Sequence, residues 1–398
     1  MAERPIISAR PAASPLPFQP TRAAALERLA TADPEDYARR RNFLNGPVTR
    51  LSPYLTHGFI STEEAIATLL ARGTPLGSKL VFELAWREYW QHVWGHLGIG
   101  ILRDIRRPVS RCEYAHVLPR DVLEARTGLP VIDQAVRALY ETGYVHNHAR
   151  MWLASYLVHL RKVHWRAAAD WMYGHLLDGD LASNHLSWQW VAGTFSAKPY
   201  LFNRDNVERY APGGAPPGCV VDRGYDELER IARSAERLGP ERGAPERGVT
   251  PPRLLQRPPE AIAPVVPDVC GRDVILVHPW SLAERAGGAI AIGVLHLPFH
   301  ESMPWSVQRW SFVLRRLRDV TDGIWAGELQ ALLPRLATAR SVRAVETLNP
   351  GYRDALRHPR VALASAPRHF GEPEELCQSF AQFWKTVAPS VPAAAEPA

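Results

Sequence analysis

Hydrophobic positions recur with helical spacing almost throughout residues 21–205, and this pattern predicts an all-α region. Residues 61–64 (STEE) form a capping box that begins one helix. Pro130 begins another, which ends at Gly143. Helices are predicted over about 65–70, 78–97, 130–142, 147–160, 165–177 and 181–191.

From residue 211 the pattern changes. Residues 211–268 are rich in proline and hold one predicted helix at about 225–237, which is typical of a linker. Predicted strands at 273–280, 289–297, 341–348 and 361–366 then alternate with helical stretches at 306–320, 328–338 and 373–387. We therefore predict a multidomain α and α/β protein: a flexible arm (1–20), a helical domain (21–210), a Pro-rich linker (211–270) and a small parallel α/β domain (271–390).

Charge adds a weak indication of a polyanionic partner. The 398 residues carry 47 basic and 41 acidic side chains, and residues 1–210 alone hold 25 basic and 20 acidic ones. Nearly all the basic residues are arginine. Codon bias in a GC-rich genome would explain this preference, and recognition of phosphate groups is the alternative explanation.

Cysteine content and hydropathy exclude several classes of protein. The four cysteines lie far apart without a Cys-x-x-Cys pair, which argues against a zinc ribbon, an iron–sulfur cluster and a disulfide scaffold. No apolar run reaches membrane-spanning length, and the N-terminus lacks a signal-peptide pattern. We expect a cytoplasmic protein of bacterial type, without metal or membrane contact.

The predicted helix over 78–97 carries an unusual face. Glu83, Trp86, Arg87 and Trp90 fall at i, i+3, i+4 and i+7. This face is either a surface Glu83–Arg87 ion pair above core indoles, or a pocket wall that stacks on a planar ligand.

Further polar faces follow along the chain. Asn147, Arg150 and Met151 share one helix face, and the flanking histidines at 146 and 148 form no convincing metal-ligand spacing. Thr49-Arg50-Leu51-Ser52 precedes a helix and could either cap it or bind a pyrophosphate.

Asp178-Gly179-Asp180 forms a third polar group, in a predicted turn. Asp180, Asn184 and Trp188 follow at intervals of four. Asp180 is a candidate helix cap, and this face could also hydrogen-bond a heterocycle such as a flavin.

Taken together, these motifs resemble the photolyase/cryptochrome flavin domain. The segments ELAWREYW (83–90), HNHARM (146–151) and DGD (178–180) through Asn184 to WQW (188–190) occur in that family's order and spacing. The resemblance covers roughly residues 25–210. It implies a helical domain that binds FAD and donates an electron, under blue light, to a pyrimidine dimer in UV-damaged DNA.

The resemblance also implies roles for individual residues. Cofactor contacts are implied for Tyr37, Thr49, Arg50, Leu51, Ser52, Arg87, Asn147, Asp178, Gly179, Asp180 and Asn184. Among them, Arg87 and Asp178 would form a polar clamp, Asp180 would face the pyrimidine edge of the ring, and Asn184 would lie near its N5. DNA contacts are implied for Glu83, Trp86, Trp90, Asn147, Arg150 and Met151, and electron relay for Trp165 and Trp188. Asn147 and Met151 stand where enzymes for the (6-4) photoproduct have histidines, which implies the cyclobutane-dimer class.

Three features depart from the family pattern. The third relay tryptophan falls near Cys112, with Tyr114 the nearest aromatic residue, and Val48 replaces a hydroxyl residue. The family's α/β antenna domain does not precede the helical region. The α/β segment at 271–390 is either that domain in permuted order or an unrelated one, and its antenna chromophore is unknown.

The resulting expectation is a deoxyribodipyrimidine photo-lyase, a carbon–carbon lyase. A cryptochrome-like blue-light receptor that binds FAD without repairing DNA is the alternative. A flavoprotein that has lost its light chemistry is a third possibility. No protein partner is deducible.

Overall fold

A computed structural model describes residues 18–285 and 287–390. Residues 1–17 of the predicted arm lie outside this part of the chain. Phe18 is buried and packs against Tyr54 and Tyr144, with ring centroids 6.4 and 5.4 Å away.

In the part of the chain that the structure describes, twelve α-helices precede the first strand. They are α1 (Arg22–Ala30), α2 (Pro34–Arg40), α3 (Ser52–Thr56), α4 (Thr62–Ala71), α5 (Lys79–Leu97), α6 (Arg120–Leu123), α7 (Pro130–Thr142), α8 (Asn147–Ser155), α9 (Trp165–His175), α10 (Leu181–Ala192), α11 (Arg204–Tyr210) and α12 (Tyr225–Arg233). A 3₁₀ turn at Gly98–Leu102 extends α5, and a π-helical turn at Tyr156–Leu160 follows α8, where a continuous α-helix was predicted.

The helix boundaries follow the predicted local signals. Ser61 Oγ accepts the Glu64 backbone N–H at 2.9 Å, as the capping box requires. Gly143 ends α7 in the left-handed conformation, with φ 65°. Asp180 caps α10 by accepting the Ser183 N–H at 2.7 Å.

Beyond α12 the chain forms a parallel sheet with helices. The elements are β1 (Asp273–Val277), β2 (Ile290–His296), α13 (Leu297–Ser302), α14 (Val307–Val320), β3 (Gly323–Gly327), β4 (Ser341–Val345), α15 (Tyr352–Leu356), β5 (Val361–Ala364) and α16 (Phe380–Val387). All neighbouring strands are parallel, in the order β3-β2-β1-β4-β5. The predicted parallel sheet is thus present.

Three details of this region differ from the prediction. β3 was not predicted, because its sequence GIWAG is short and holds two glycines. The predicted helix at 328–338 is two 3₁₀ turns, Leu329–Ala331 and Leu333–Leu336, separated by Leu332 with Pro334 in the second. Of the predicted helix at 373–387 only α16 forms, after an irregular stretch.

One hydrophobic cluster joins the helices to the α/β region, while two others lie within the helical region and around the sheet. Phe59, just after α3, stacks on Phe312 of α14 at 5.1 Å with an interplanar angle of 4°. Tyr54 meets the same phenylalanine edge-on at 5.8 Å. Within the described residues, no helix combines the length and the apolar character that a membrane crossing requires.

Candidate functional site

A cleft of about 770 Å³ opens between α5, α8 and α10. Its volume is typical of a site for a cofactor-sized ligand. Most of the predicted site residues line it: Tyr37, Thr49, Arg50, Leu51, Ser52, Glu83, Trp86, Arg87, Trp90, Asn147, Arg150, Met151, Asp178, Asn184 and Trp188. The structure therefore brings three motifs that are distant in sequence to one surface.

Three predicted residues do not line the cleft. Trp165 is buried behind it, and its indole N–H donates to Asp104 at 2.6 Å. Gly179 and Asp180 form the turn before α10, where Asp180 serves as the helix cap and also accepts from Gln91 at 3.0 Å.

Arg87 and Asp178, which the resemblance assigns to a polar clamp on the cofactor, both line the cleft, and that role stays a prediction. Asp178 pairs with Arg150, whose Nη2 lies 3.0 and 2.8 Å from the two carboxylate oxygens. Arg87 instead lies 4.0 Å from Asp180. Arg150 also donates to Val145 O at 2.8 Å and covers the ring of Tyr144, so its guanidinium is fixed beside the cleft.

Glu83 does not form the surface pair with Arg87 that was one interpretation of its helix face. Its carboxylate lies 3.0 Å from Lys79 Nζ and 3.7 Å from Arg41 Nε, at the cleft edge. About a third of the Glu83 side chain is exposed. The carboxylate thus remains accessible to a ligand while two cations hold it in place.

Two asparagines face the cleft with different functional atoms. The Asn184 amide nitrogen donates to Ala169 O at 2.9 Å, so its amide oxygen is the atom that this side chain offers to a ligand N–H. Asn147 Nδ2 makes only a long contact of 3.9 Å with Met151 Sδ. Its amide is therefore free to turn towards a ligand.

The loop before α3 is strained where it lines the cleft. Arg50 has φ 51°, in the left-handed region that non-glycine residues rarely adopt. Such a conformation costs on the order of 1–3 kcal/mol and clusters at ligand sites. The Thr49 hydroxyl lies 3.4 Å from the Leu51 N–H, which tightens the same turn.

Several residues that line the cleft were not predicted as site residues, including Arg41, Tyr144, Ser183, Trp190 and Tyr200. Ser183 carries the clearest ligand signal, because its buried hydroxyl has no hydrogen-bond partner. It shares a face of α10 with Ser187 and Trp190, which also line the cleft, so helical periodicity could have found it. Tyr144 follows a helix end and offers no sequence signal. Desolvation raises the pKa of Tyr37 strongly, so its phenol stays a hydrogen-bond donor.

These residues fit FAD. A long cleft with indoles along one wall suits a flat ring system, and Arg41, Arg50 and Arg150 supply charge for phosphates. The unpartnered Ser183 hydroxyl and the Asn184 oxygen add polar contacts.

The opposite side of α5 is covered by the segment 368–387, which we call the C-terminal segment. The Glu88 carboxylate accepts the N–H groups of His369 and Phe370 at 2.8 and 3.0 Å. Phe380 stacks on Trp86 at 4.2 Å with an interplanar angle of 8°. The C-terminal segment therefore backs an indole that lines the cleft.

Among the described residues, three potential metal ligands on this side lie within 4.8 Å of one another: His92, His96 and Glu372. His92 Nε2 accepts the Cys377 N–H at 2.9 Å, so the ring proton is on Nδ1, 2.7 Å from Glu372. His92 then has no lone pair for a metal ion, and the cluster acts as a polar contact.

Known proteins resemble this chain over the region that forms the cleft. A family model described as the FAD binding domain of DNA photolyase matches residues 80–213, which include most of the cleft helices. A deoxyribodipyrimidine photo-lyase of Streptomyces griseus is 37% identical over 164 residues, 40% of this chain and 35% of the relative. One of Thermus thermophilus is 34% identical over 207 residues, 50% of this chain and 49% of the relative.

The chain spans about a third to a half of the length of these curated relatives. Among solved structures, an archaeal photolyase from Sulfolobus tokodaii with two FAD molecules is 31% identical. The match covers 48% of this chain and 44% of that one, with a TM-score of 0.43.

Proposed function

We propose that the chain, whose residues 80–213 match the FAD binding domain of DNA photolyase, is a light-driven, FAD-dependent repair enzyme of the photolyase/cryptochrome family that acts on cyclobutane pyrimidine dimers in DNA. The observation that supports this most is the composition of a single cleft. Its lining includes the Arg150–Asp178 pair, Ser183 and Asn184, and also Glu83 and Trp86. One cavity can thus hold a flavin and an extruded lesion side by side.

On the cofactor side, reduced FAD supplies an electron to the dimer when it absorbs blue light. The Asn184 oxygen can accept an N–H from the ring, and the Ser183 hydroxyl gains the partner that it lacks. Thr49, Arg50 and Ser52 would hold the phosphates. Asp180 would act through α10, which it caps, and its predicted direct contact with the pyrimidine edge stays a prediction.

On the DNA side, Trp86 and Trp90 offer aromatic surface against which extruded bases can stack. Flipping a damaged dinucleotide out of the helix costs less than flipping normal bases, because its pairing and stacking are already impaired. Glu83, held by Lys79 and Arg41, can accept hydrogen bonds from pyrimidine N–H groups. Met151 and Asn147 would complete this wall.

The proposal predicts that the protein prefers damaged DNA. Oligothymidine that carries cyclobutane dimers should bind more tightly than the undamaged strand in a fluorescence-anisotropy titration, and both affinities should fall as salt rises. Equal affinity for the two strands would favour a receptor that keeps FAD without a lesion pocket.

A Glu83→Gln variant is expected to keep FAD and to lose about ten-fold in repair yield per absorbed photon. A hydrogen bond to a charged group contributes about 1.5–3 kcal/mol, and the neutral amide supplies less. Glu35→Gln is the control, because that side chain is 88% exposed and lies on the surface. An unchanged yield in Glu83→Gln would remove Glu83 from the lesion site.

A Trp188→Phe variant is expected to slow photoreduction of oxidised flavin at least ten-fold. Trp188 lines the cleft, and the resemblance implies that it and Trp165 relay electrons inward. Trp171→Phe is the matched control, since Trp171 lies on α9 outside the cleft. Full photoreduction in Trp188→Phe, followed by flavin absorbance under blue light, would mean that another aromatic residue donates.

A further inference from the structure

The turn between α9 and α10 has two sides. On one side, the Asp178 carboxylate lines the cleft and pairs with Arg150. Asp180 begins α10, which carries Asn184 and Trp188 to the cleft. The backbone of residues 174–180 therefore sets the position of several cofactor-facing groups.

On its other side, this turn offers a row of backbone carbonyls, and residues from elsewhere in the chain take up nearly all of them. Arg309 of α14 donates to Tyr173 O at 2.9 Å and to Gly179 O. The Ser306 N–H donates to Gly174 O at 2.8 Å. The α/β region therefore holds the turn through direct hydrogen bonds.

Residues at the end of α3 also contact backbone carbonyls of this turn. The Thr56 hydroxyl donates to Asp178 O at 3.3 Å. The ring of His57 lies between two carbonyl oxygens, with its nitrogens 2.9 Å from Leu177 O and 2.6 Å from Pro279 O, and its single N–H donates to one of them. Pro279 follows β1. The turn is consequently fixed between the α/β region and the cleft.

Burial of the Arg309 guanidinium carries a desolvation penalty that an apolar side chain would avoid. It is fully buried, and no carboxylate oxygen among the described residues lies within 4.0 Å of its guanidinium. The two carbonyls are its hydrogen-bond acceptors, and the rings of Trp305 and Tyr173 lie 4.0 and 4.6 Å from its central carbon. Its Nε has no partner. An apolar side chain would fill this space without the desolvation penalty, so a buried cation here indicates a specific task.

Gly179 supports that interpretation. A Cβ atom at this position would overlap Nη1 of Arg309 and the carbonyl oxygen of Tyr173. The φ of Gly179 is not in the left-handed region, so the glycine is required by this close approach and not by the backbone conformation. The central glycine of the Asp-Gly-Asp motif therefore leaves the space that the Arg309 side chain, 130 positions away, occupies.

We propose that Arg309 is a positioning residue for the cofactor cleft. Its guanidinium holds the Gly179 and Tyr173 carbonyls, so that Asp178 faces Arg150 and α10 begins at Asp180. The cleft reaches its binding geometry only when the α/β region is seated on the turn. By linkage, FAD in the cleft strengthens that seating in return. This inference rests on the FAD binding of the proposed function but not on DNA repair.

The test compares Arg309→Met with Arg316→Met. Arg316 is also buried on α14, two turns further on, and donates to Leu282 O at 3.1 Å and to Glu284 at 2.9 Å, away from the turn. Titration of the full-length apoprotein with FAD, followed by flavin fluorescence and corrected for the folded fraction, gives the dissociation constant. We expect about ten-fold weaker binding in Arg309→Met and wild-type binding in Arg316→Met.

Hydrogen exchange supplies a readout that does not need the cofactor. In apo Arg309→Met the amides of residues 177–184 should exchange at least ten-fold faster than in the wild type, and in Arg316→Met they should not. Arg309→Lys should recover part of the protection, because an ammonium can donate to the same carbonyls one at a time.

Equal FAD affinity and equal exchange in Arg309→Met and the wild type would overturn the proposal, and so would equal losses in both methionine variants. If Arg309→Met does not fold, Gly179→Ala displaces the guanidinium from the opposite side. Unchanged exchange at residues 177–184 in that variant would be equally contradictory. A wild-type protein that binds no FAD would instead refute the cofactor assignment, and the exchange comparison would still decide the role of Arg309.

Discussion

Replacing Arg150 with alanine is expected to strip the cleft of FAD and to lower the free energy of unfolding by about 3 kcal/mol. The Asp178 side chain is only 4% exposed, and Arg150 is its ion-pair partner. Removal of one member of a buried pair leaves an uncompensated charge, which costs about 3–5 kcal/mol. The unpaired Asp178 charge lowers the free energy of unfolding, and the missing Arg150 cation removes a contact from the wall of the cofactor cleft.

Two variants separate these contributions. Arg150→Ala combined with Asp178→Asn removes both charges, so it should recover most of the stability without recovering FAD affinity. Arg120→Ala is the surface control, because Arg120 is 84% exposed and its ion pair with Glu124 should contribute about 0–1 kcal/mol. Denaturant unfolding and FAD titration measure the two quantities. Wild-type FAD affinity in Arg150→Ala would contradict the assignment of this pair to the cofactor site.

The free energy of unfolding is expected to fall steeply as the pH drops from about 6.5 to about 4. Burial lowers the pKa of five histidines to about 4: His92, His146, His159, His175 and His278. For His92 and His278, one ring nitrogen accepts a backbone N–H, from Cys377 and Trp280 respectively, so protonation would also break a hydrogen bond.

The direction of this pH dependence follows from the histidine pKa values in the folded and unfolded states. The folded pKa lies below the unfolded value of about 6.5, so within this window the unfolded chain binds more protons. The stabilisation is complete above pH 6.5 and is lost as the pH falls towards 4. Each fully affected histidine contributes up to about 1.4 kcal/mol per pH unit. A few of them together approach the ~5–15 kcal/mol that stabilises a typical domain.

Urea unfolding at pH 7.0, 6.0 and 5.0 would measure this slope. His278→Gln should reduce this slope, because the amide does not titrate in this range. A midpoint independent of pH across this range would show that these histidines are not held neutral.

The face of α5 was predictable because it depends on local periodicity. Glu83, Trp86, Arg87 and Trp90 need only 3.6 residues per turn to share a surface, and all four line the cleft. The capping signals at Ser61 and Gly143 are local as well.

Pairings across the fold were not predictable. Asp178 could meet either Arg87 or Arg150 as far as the sequence shows, and tertiary packing selects Arg150. The stacking of Phe380 on Trp86 and the contact of Arg309 with Gly179 join residues more than a hundred positions apart, for which no periodicity exists. That the α/β region is a permuted antenna domain stays a prediction, since the family match ends at residue 213.

The measurement that tests the central proposal most directly is blue-light repair by the purified, reduced protein. The substrate is oligothymidine with cyclobutane dimers, and recovery of thymine absorbance reports the repair. The proposal predicts recovery that requires light and bound FAD and that falls about ten-fold in Glu83→Gln. An FAD-loaded protein that binds the strand but restores no thymine under blue light would contradict it and would point to a photoreceptor.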